Sequence, residues 1–207
     1  MRTSLSLSIL IVSSLLHHVH AQEPAPWLTL RKEPFRVISA RAISDADHET
    51  DLAMGDLDRD GFTDVVVARK QPFITFGGRS NVLLMNENGV LIDRTARFAG
   101  HSDVAGDQGF LTPTNDRDVA IGDLDGDGWL DVVTAVDVSP GQQKAISHPR
   151  VYRNLGRGED GVWRGLAHED ARIPTLLHFD TQQPIVPQFV SVAIGDIDGD
   201  GDNDLYF

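Results

Sequence analysis

The stretch Ala120-Ile121-Gly122-Asp123-Leu124-Asp125-Gly126-Asp127-Gly128-Trp129-Leu130-Asp131-Val132-Val133 decides how this chain is read, because it occurs three times. An earlier copy runs Ala53-Met54-Gly55-Asp56-Leu57-Asp58-Arg59-Asp60-Gly61-Phe62-Thr63-Asp64-Val65-Val66. A later one runs Ala193-Ile194-Gly195-Asp196-Ile197-Asp198-Gly199-Asp200-Gly201-Asp202-Asn203-Asp204-Leu205-Tyr206. Counted from the first aspartate, every copy has Asp at positions 1, 3, 5 and 9 and Gly at position 6. The flanks, such as Val65-Val66-Val67 and Val132-Val133-Thr134, are rich in β-branched residues that favour strands. The copies lie 67 and 73 residues apart, a period that implies stacked supersecondary units.

Carboxylates at alternate positions of a tight loop suit a hard cation. Calcium takes six to eight oxygen ligands at roughly 2.3–2.6 Å, and a chain supplies them most compactly by curling around the ion. Glycine at position 6 (Gly61, Gly128, Gly201) permits the sharp turn. Position 7 (Phe62, Trp129, Asp202) would offer its backbone carbonyl, so its side chain is free to vary. The candidate ligands are therefore Asp56, Asp58, Asp60, Phe62 and Asp64 in the first loop, and Asp123, Asp125, Asp127, Trp129 and Asp131 in the second. Those of the third are Asp196, Asp198, Asp200, Asp202 and Asp204. That makes room for up to three Ca²⁺.

An EF-hand needs a glutamate at position 12 and helices on both sides. Position 12 is Val67, Thr134 or Phe207, so that reading fails. The ninth-position aspartate is the natural substitute, on a strand–loop–strand frame. Plain acidic turns are the alternative, since Asp and Gly are common turn residues. Against it, four crowded carboxylates repel one another unless a cation sits among them. An all-oxygen donor set argues against zinc or copper; magnesium, which demands a stricter octahedron, stays open.

The pattern Val-Ala-Ile-Gly-Asp-Leu-Asp-Gly-Asp-Gly-x-x-Asp-Val-Val resembles the FG-GAP and VCBS-type repeats of integrin-like β-propellers, over roughly residues 45–207. The resemblance implies a loop that joins two strands of a blade and binds calcium through positions 1, 3, 5, 7 and 9. The first copy departs at position 4, where Arg59 replaces a small residue and is expected to weaken its site. The third loop, with an extra aspartate at Asp202 and no nearby arginine, is expected to bind most tightly if its blade is completed.

The fold expected is all-β: a partial β-propeller of about two complete four-stranded blades plus half of a third, with the calcium loops between the first two strands of each blade. Repeats span about residues 45–112, 113–185 and an incomplete 186–207. In the first, Leu52–Met54 and Val65–Arg69 flank the loop, Asn81–Asn86 forms a third strand, and Val90–Thr95 a fourth after the Glu87-Asn88-Gly89 turn. In the second, Val119–Gly122 and Val132–Val136 flank the loop, Arg150–Asn154 is the third strand and Val162–Arg164 part of the fourth. Residues 22–44 read as a linker with one strand donated to another blade. No helix is expected, and residues 96–117 and 139–149 read as long loops. The remaining blades would come from a longer chain.

Residues 1–21 read as a secretory signal peptide, with Arg2, an apolar stretch Leu5–Leu16 and a small-residue site at Val19-His20-Ala21, giving cleavage after Ala21 and a secreted, periplasmic or extracellular protein. The apolar run is too short and too serine-broken to span a bilayer, and no later stretch could. The chain beyond it carries 17 basic against 31 acidic side chains, a formal charge of −14, which repels phosphate backbones and argues against nucleic acid as a partner. There is no cysteine to staple the fold, so the metal loops would take that role.

No residue pattern assigns catalysis. The histidines His48, His101, His148, His168 and His178 form no zinc motif, and His168 beside Glu169 and Asp170 reads as a surface polar cluster. Trp27, Trp129, Trp163, Tyr152 and Phe110 could stack on sugars but fit core packing better. The expected function is a secreted, calcium-binding module for protein or glycan binding and adhesion, the metal being structural. The alternative is an accessory or catalytic part of an extracellular polysaccharide-degrading enzyme.

Overall fold

Short strands alternating with tight turns build the computed structural model, which describes residues 37–38, 50–71, 77–137, 142–185 and 187–207, all within one unit spanning Glu33–Phe207. The expected signal peptide, Trp27, His48 and most of the 22–44 segment lie outside the described residues. A two-residue strand β1 (Val37–Ile38) precedes β2 (Thr50–Gly55), which runs into the first aspartate loop, and β3 (Asp64–Arg69) runs out of it. The loop is pinned at its base by antiparallel pairing, with Met54 opposite Val65 and Gly55 opposite Asp64. β4 (Val82–Glu87) and β5 (Val90–Asp93) continue the sheet through a two-residue Asn88-Gly89 hairpin turn. Both turn residues have positive φ, 54° and 87°, as this tight turn requires.

The second unit repeats the plan. β6 (His101–Ser102) comes first, then β7 (Asp116–Gly122), the second loop, β8 (Asp131–Val136), β9 (Arg150–Asn154) and β10 (Leu166–His168). The third unit contributes β11 (Ala193–Gly195), its loop and β12 (Asp204–Tyr206), paired with Gly195 opposite Asp204.

Each of the first two sheets has five strands rather than the expected four, in the orders β1-β5-β4-β3-β2 and β6-β10-β9-β8-β7. The extra strand is a two-residue segment that joins the outer edge in parallel: Val37 pairs with Leu91, and His101 with Ala167. The fourth strand of the second sheet is Leu166–His168, not Val162–Arg164, whose Trp163 makes only an isolated bridge to Arg157. The expected absence of helices also needs correction. A single turn α1 (Thr95–Phe98) follows β5, another, α2 (Lys144–Ser147), precedes β9, and 3₁₀ turns occupy Gly109–Leu111 and Asp170–Arg172. None of the described helices is long and apolar enough to cross a membrane.

Side chains alternate across each strand, so one face of each sheet packs on the next unit. Leu57, Val66, Ala68, Leu83 and Met85 of the first unit meet Val119, Val132, Tyr152 and Leu166 of the second in one core. Val133, Ala135 and Val151 of the second meet Val192, with Ile194, Leu205 and Phe207 packed alongside, in another. Phe110, Tyr152 and Trp163 are buried in the first of these cores, which settles them as packing residues. His168 is buried too, not part of a surface cluster. Its Nδ1 lies 3.1 Å from Ser102 Oγ and 3.4 Å from Asp107. Asp107 in turn receives two hydrogen bonds from the fully buried Arg150 guanidinium, at 2.9 and 2.8 Å. This pair locks the outer edge of the second sheet, since Arg150 also donates to Ala145 O at 2.6 Å.

Candidate metal centres

Three aspartate loops hang from three strand pairs, and their internal hydrogen bonds repeat position by position. The first-position carboxylate accepts the N–H of position 6 in each: Gly61 on Asp56 at 3.0 Å, Gly128 on Asp123 at 2.8 Å, Gly201 on Asp196 at 3.1 Å. The third-position carboxylate accepts the N–H of position 5, and the fifth that of position 7. The loop is thus wound around its own carboxylates, with Gly61, Gly128 and Gly201 at φ of 90°, 86° and 98°. Position 4 is left-handed as well, in Gly126, Gly199 and also Arg59 (φ 57°). The conformation itself is why a glycine is usual there.

The ninth aspartate is a staple as much as a candidate ligand. One of its oxygens accepts the N–H of position 2: Leu57, Leu124 and Ile197, each at 3.0 Å. The other accepts from the third strand, Asn86 N–H on Asp64 at 2.8 Å and Asn154 N–H on Asp131 at 2.7 Å. Burial pushes the Asp64 and Asp131 carboxyls up to about 6, in spite of these N–H donors, and the neighbouring aspartates add to the rise. Burial and the charges of Asp60 and Asp56 raise Asp58 too.

Carboxylate oxygens gather in three trios: Asp56, Asp58 and Asp64; Asp123, Asp125 and Asp127; Asp196, Asp198 and Asp204. Within each trio the oxygens lie within 4.8 Å of one another. Two ligands of one calcium ion can be no further apart than about 4.6–5.2 Å, twice the bond length. The donor set therefore fits that ion, and it is all oxygen. Asp60 and Asp200 fall outside their trios and are held instead by the N–H of Phe62 and Asp202, while Asp131 falls outside the second. Of the position 7 residues, Phe62 is exposed and Trp129 half-buried.

Residues 56–134 match the family model for the FG-GAP-like repeat. This stretch is an FG-GAP-like repeat. The matched span begins on Asp56, takes in the whole first sheet beyond β2 and ends inside β8, one strand past the second aspartate loop. No curated protein and no solved structure matches the chain.

Two features of the FG-GAP-like repeat escaped the motif. Asn86 and Asn154 hold equivalent places at the end of the third strand, and each donates its amide to the position 8 carbonyl of its own loop, Thr63 and Leu130, at 3.0 Å. The alignment of Val82–Asn86 with Arg150–Asn154 carried that signal. The loops are also tied to one another. Arg59 sends its guanidinium away from the first loop, over the Trp129 ring (4.2 Å to the centroid) and onto Gly128 O. Its charge therefore bears on the second loop, contrary to the sequence expectation, together with Arg172, 3.3 Å from Asp125. Asn203 of the third loop donates to Asp123 O at 2.8 Å, and Arg157 to Asp58 O at 2.7 Å.

Proposed function

We propose that the chain is an exported, calcium-stabilised repeat module of β-propeller-like build that serves protein or glycan binding. The observation that carries this reading is the threefold recurrence of a carboxylate trio narrow enough for one calcium ion. Asp56, Asp58 and Asp64 in the first loop, Asp123, Asp125 and Asp127 in the second and Asp196, Asp198 and Asp204 in the third would hold the ions, with the remaining loop carboxylates and position 7 carbonyls as further oxygens. Bound calcium would supply positive charge where the fold crowds negative charge, and nothing more reactive. The protein's own part is to preorganise the carboxylates through backbone N–H groups. The binding energy then appears as folding energy.

The leader-like residues 1–21 support export, and the acidic surface disfavours nucleic acid. The segments 104–112, between β6 and β7, and 143–146, at α2, support a binding role. They meet around a cavity of about 160 Å³ lined by Val104, Gly106, Asp107, Thr112, Gln143 and Ile146. That is well below the roughly 300–1,000 Å³ of small-molecule pockets, so a ligand there would be a macromolecule resting on the loop tips. Thermal melts in calcium and in EGTA test the structural role of the metal. Each site held at 100-fold its Kd adds about 2.7 kcal/mol. An unchanged Tm would defeat the proposal.

A further inference from the structure

The face that the second sheet turns to the first unit is polar as well as apolar. It carries Asp116 of β7, Thr134 of β8, and Arg150 and Tyr152 of β9. Thr134 lies directly opposite Arg150, Asp116 is opposite Val136 two places along, and Tyr152 is opposite Val132 two places the other way, so all four share one side. All four are buried. Most of their polar atoms are already engaged. Arg150 gives its two terminal nitrogens to Asp107, Ala145 O and Gly109 O. Asp116 Oδ2 accepts the Asn81 amide of the first unit and the Thr114 hydroxyl, the latter at 2.8 Å.

One atom of each remains. Arg150 Nε, Asp116 Oδ1, Thr134 Oγ1 and Tyr152 Oη are enclosed, and among the described residues none of them has a hydrogen-bond partner, in one another or elsewhere. Buried polar atoms are nearly always hydrogen-bonded, so four orphans on a single patch call for a shared partner. The groups lie within one another's field. Burial pushes the Asp116 carboxyl and the Tyr152 phenol up, the Arg150 guanidinium opposes both rises, and the charge of Asp116 adds to the rise at Tyr152. The phenol therefore keeps its proton and can donate as well as accept. The Phe110 ring, edge-on to Tyr152 at 4.5 Å between centroids, and the buried Val132 and Val136 wall the patch off from solvent.

We infer that Arg150 Nε, Asp116 Oδ1, Thr134 Oγ1 and Tyr152 Oη together hold one buried water molecule at the junction of the first two units. The chemistry of the four atoms selects that occupant. A cation cannot sit against the Arg150 Nε–H, and an anion cannot sit against the Asp116 carboxylate. The occupant is therefore neutral, both donates and accepts, and fits a site closed to solvent; water is the smallest such molecule. It accepts from Arg150 Nε–H and the Tyr152 hydroxyl and donates to Asp116 Oδ1 and Thr134 Oγ1. That uses its whole capacity, where a buried water typically makes about three hydrogen bonds. The water completes a polar seam that runs from Asn81 of the first unit through Asp116 to β9 of the second. The inference rests on this buried face and not on the calcium reading.

Oxygen-17 magnetic relaxation dispersion on the full chain, which counts waters held for longer than the molecule takes to tumble, tests it. A double variant, Thr134→Val with Tyr152→Phe, replaces two of the four polar walls by carbon and should hold one such water fewer than the wild type. Thr114→Val removes a donor to Asp116 Oδ2 but none of the four atoms, and should hold as many as the wild type. Equal counts in the wild type and the double variant overturn the proposal. So does a loss in Thr114→Val as large as that in the double variant, which would mark a general loosening of the core. Should the double variant not fold, a crystal structure of the wild-type chain decides. Density for a water within roughly 2.6–3.2 Å of all four atoms supports the proposal. Thr134 bonded directly to Asp116, and Arg150 Nε directly to Tyr152, with no density among them, overturns it.

Discussion

Replacing Asp131 by alanine separates the two roles of the ninth-position carboxylate. Its oxygens accept Leu124 N–H at 3.0 Å and Asn154 N–H at 2.7 Å, the first closing the loop and the second tying the loop to β9. Asp131 itself is buried, so no solvent replaces what is lost. Each N–H left unpaired costs about 1–3 kcal/mol, or about 2–6 kcal/mol for the two. That is a large part of the roughly 5–15 kcal/mol that holds a typical domain together. Asp125→Ala is the control, because Asp125 accepts only from the Asp127 N–H at 3.4 Å and from the exposed Arg172. Urea unfolding in EGTA, followed by tryptophan fluorescence, should show Asp131→Ala several kcal/mol less stable and Asp125→Ala near wild type. In calcium both should be destabilised, Asp125→Ala through lost binding alone. Equal stabilities for the two variants in EGTA would refute the staple.

Two further outcomes follow from the electrostatics. Asp64 and Asp131 titrate near 6 in the folded metal-free chain, above the 3.8 of an ordinary aspartate. The folded state therefore holds protons that the unfolded chain has released. Their contribution to metal-free stability is fully present below about pH 4 and is lost as pH rises through 6, by up to about 3 kcal/mol per group. The stability gap between calcium and EGTA should accordingly widen from pH 5 to pH 7, and melts giving a constant gap would contradict this. At the outer edge of the second sheet, burial opposes the Asp107 charge. Hydrogen bonds from His168 and Arg150 outweigh it and hold that carboxyl well below the usual range. Arg150→Met should cost about 3–5 kcal/mol by stranding a buried carboxylate, and Asp107→Leu in the same chain should recover much of it in urea titrations.

The loops and their flanking strands were legible because the motif joins aspartates at alternate positions and a turn glycine to β-branched runs. The third strand was legible for a similar reason, since Arg150–Asn154 mirrors Val82–Asn86. The outer strands Val37–Ile38 and His101–Ser102 were not, because two residues carry no periodicity and pair only through partners far along the chain. His168 looked like surface for the same reason. Its neighbours Glu169 and Asp170 are local, whereas Ser102 and Asp107, which hold it, lie more than 60 residues away. Arg59 was read by proximity to its own loop, but a left-handed backbone turns its side chain toward Trp129. Which three of the loop carboxylates converge depends on backbone detail that spacing alone does not contain.

Calcium titration calorimetry on the folded full chain, stripped of divalent ions beforehand, bears most directly on the three aspartate trios. Uptake of up to three ions per chain is expected, with heats that disappear from one site in Asp123→Ala while the others persist. A well-folded protein that takes up no calcium would contradict the account at its root.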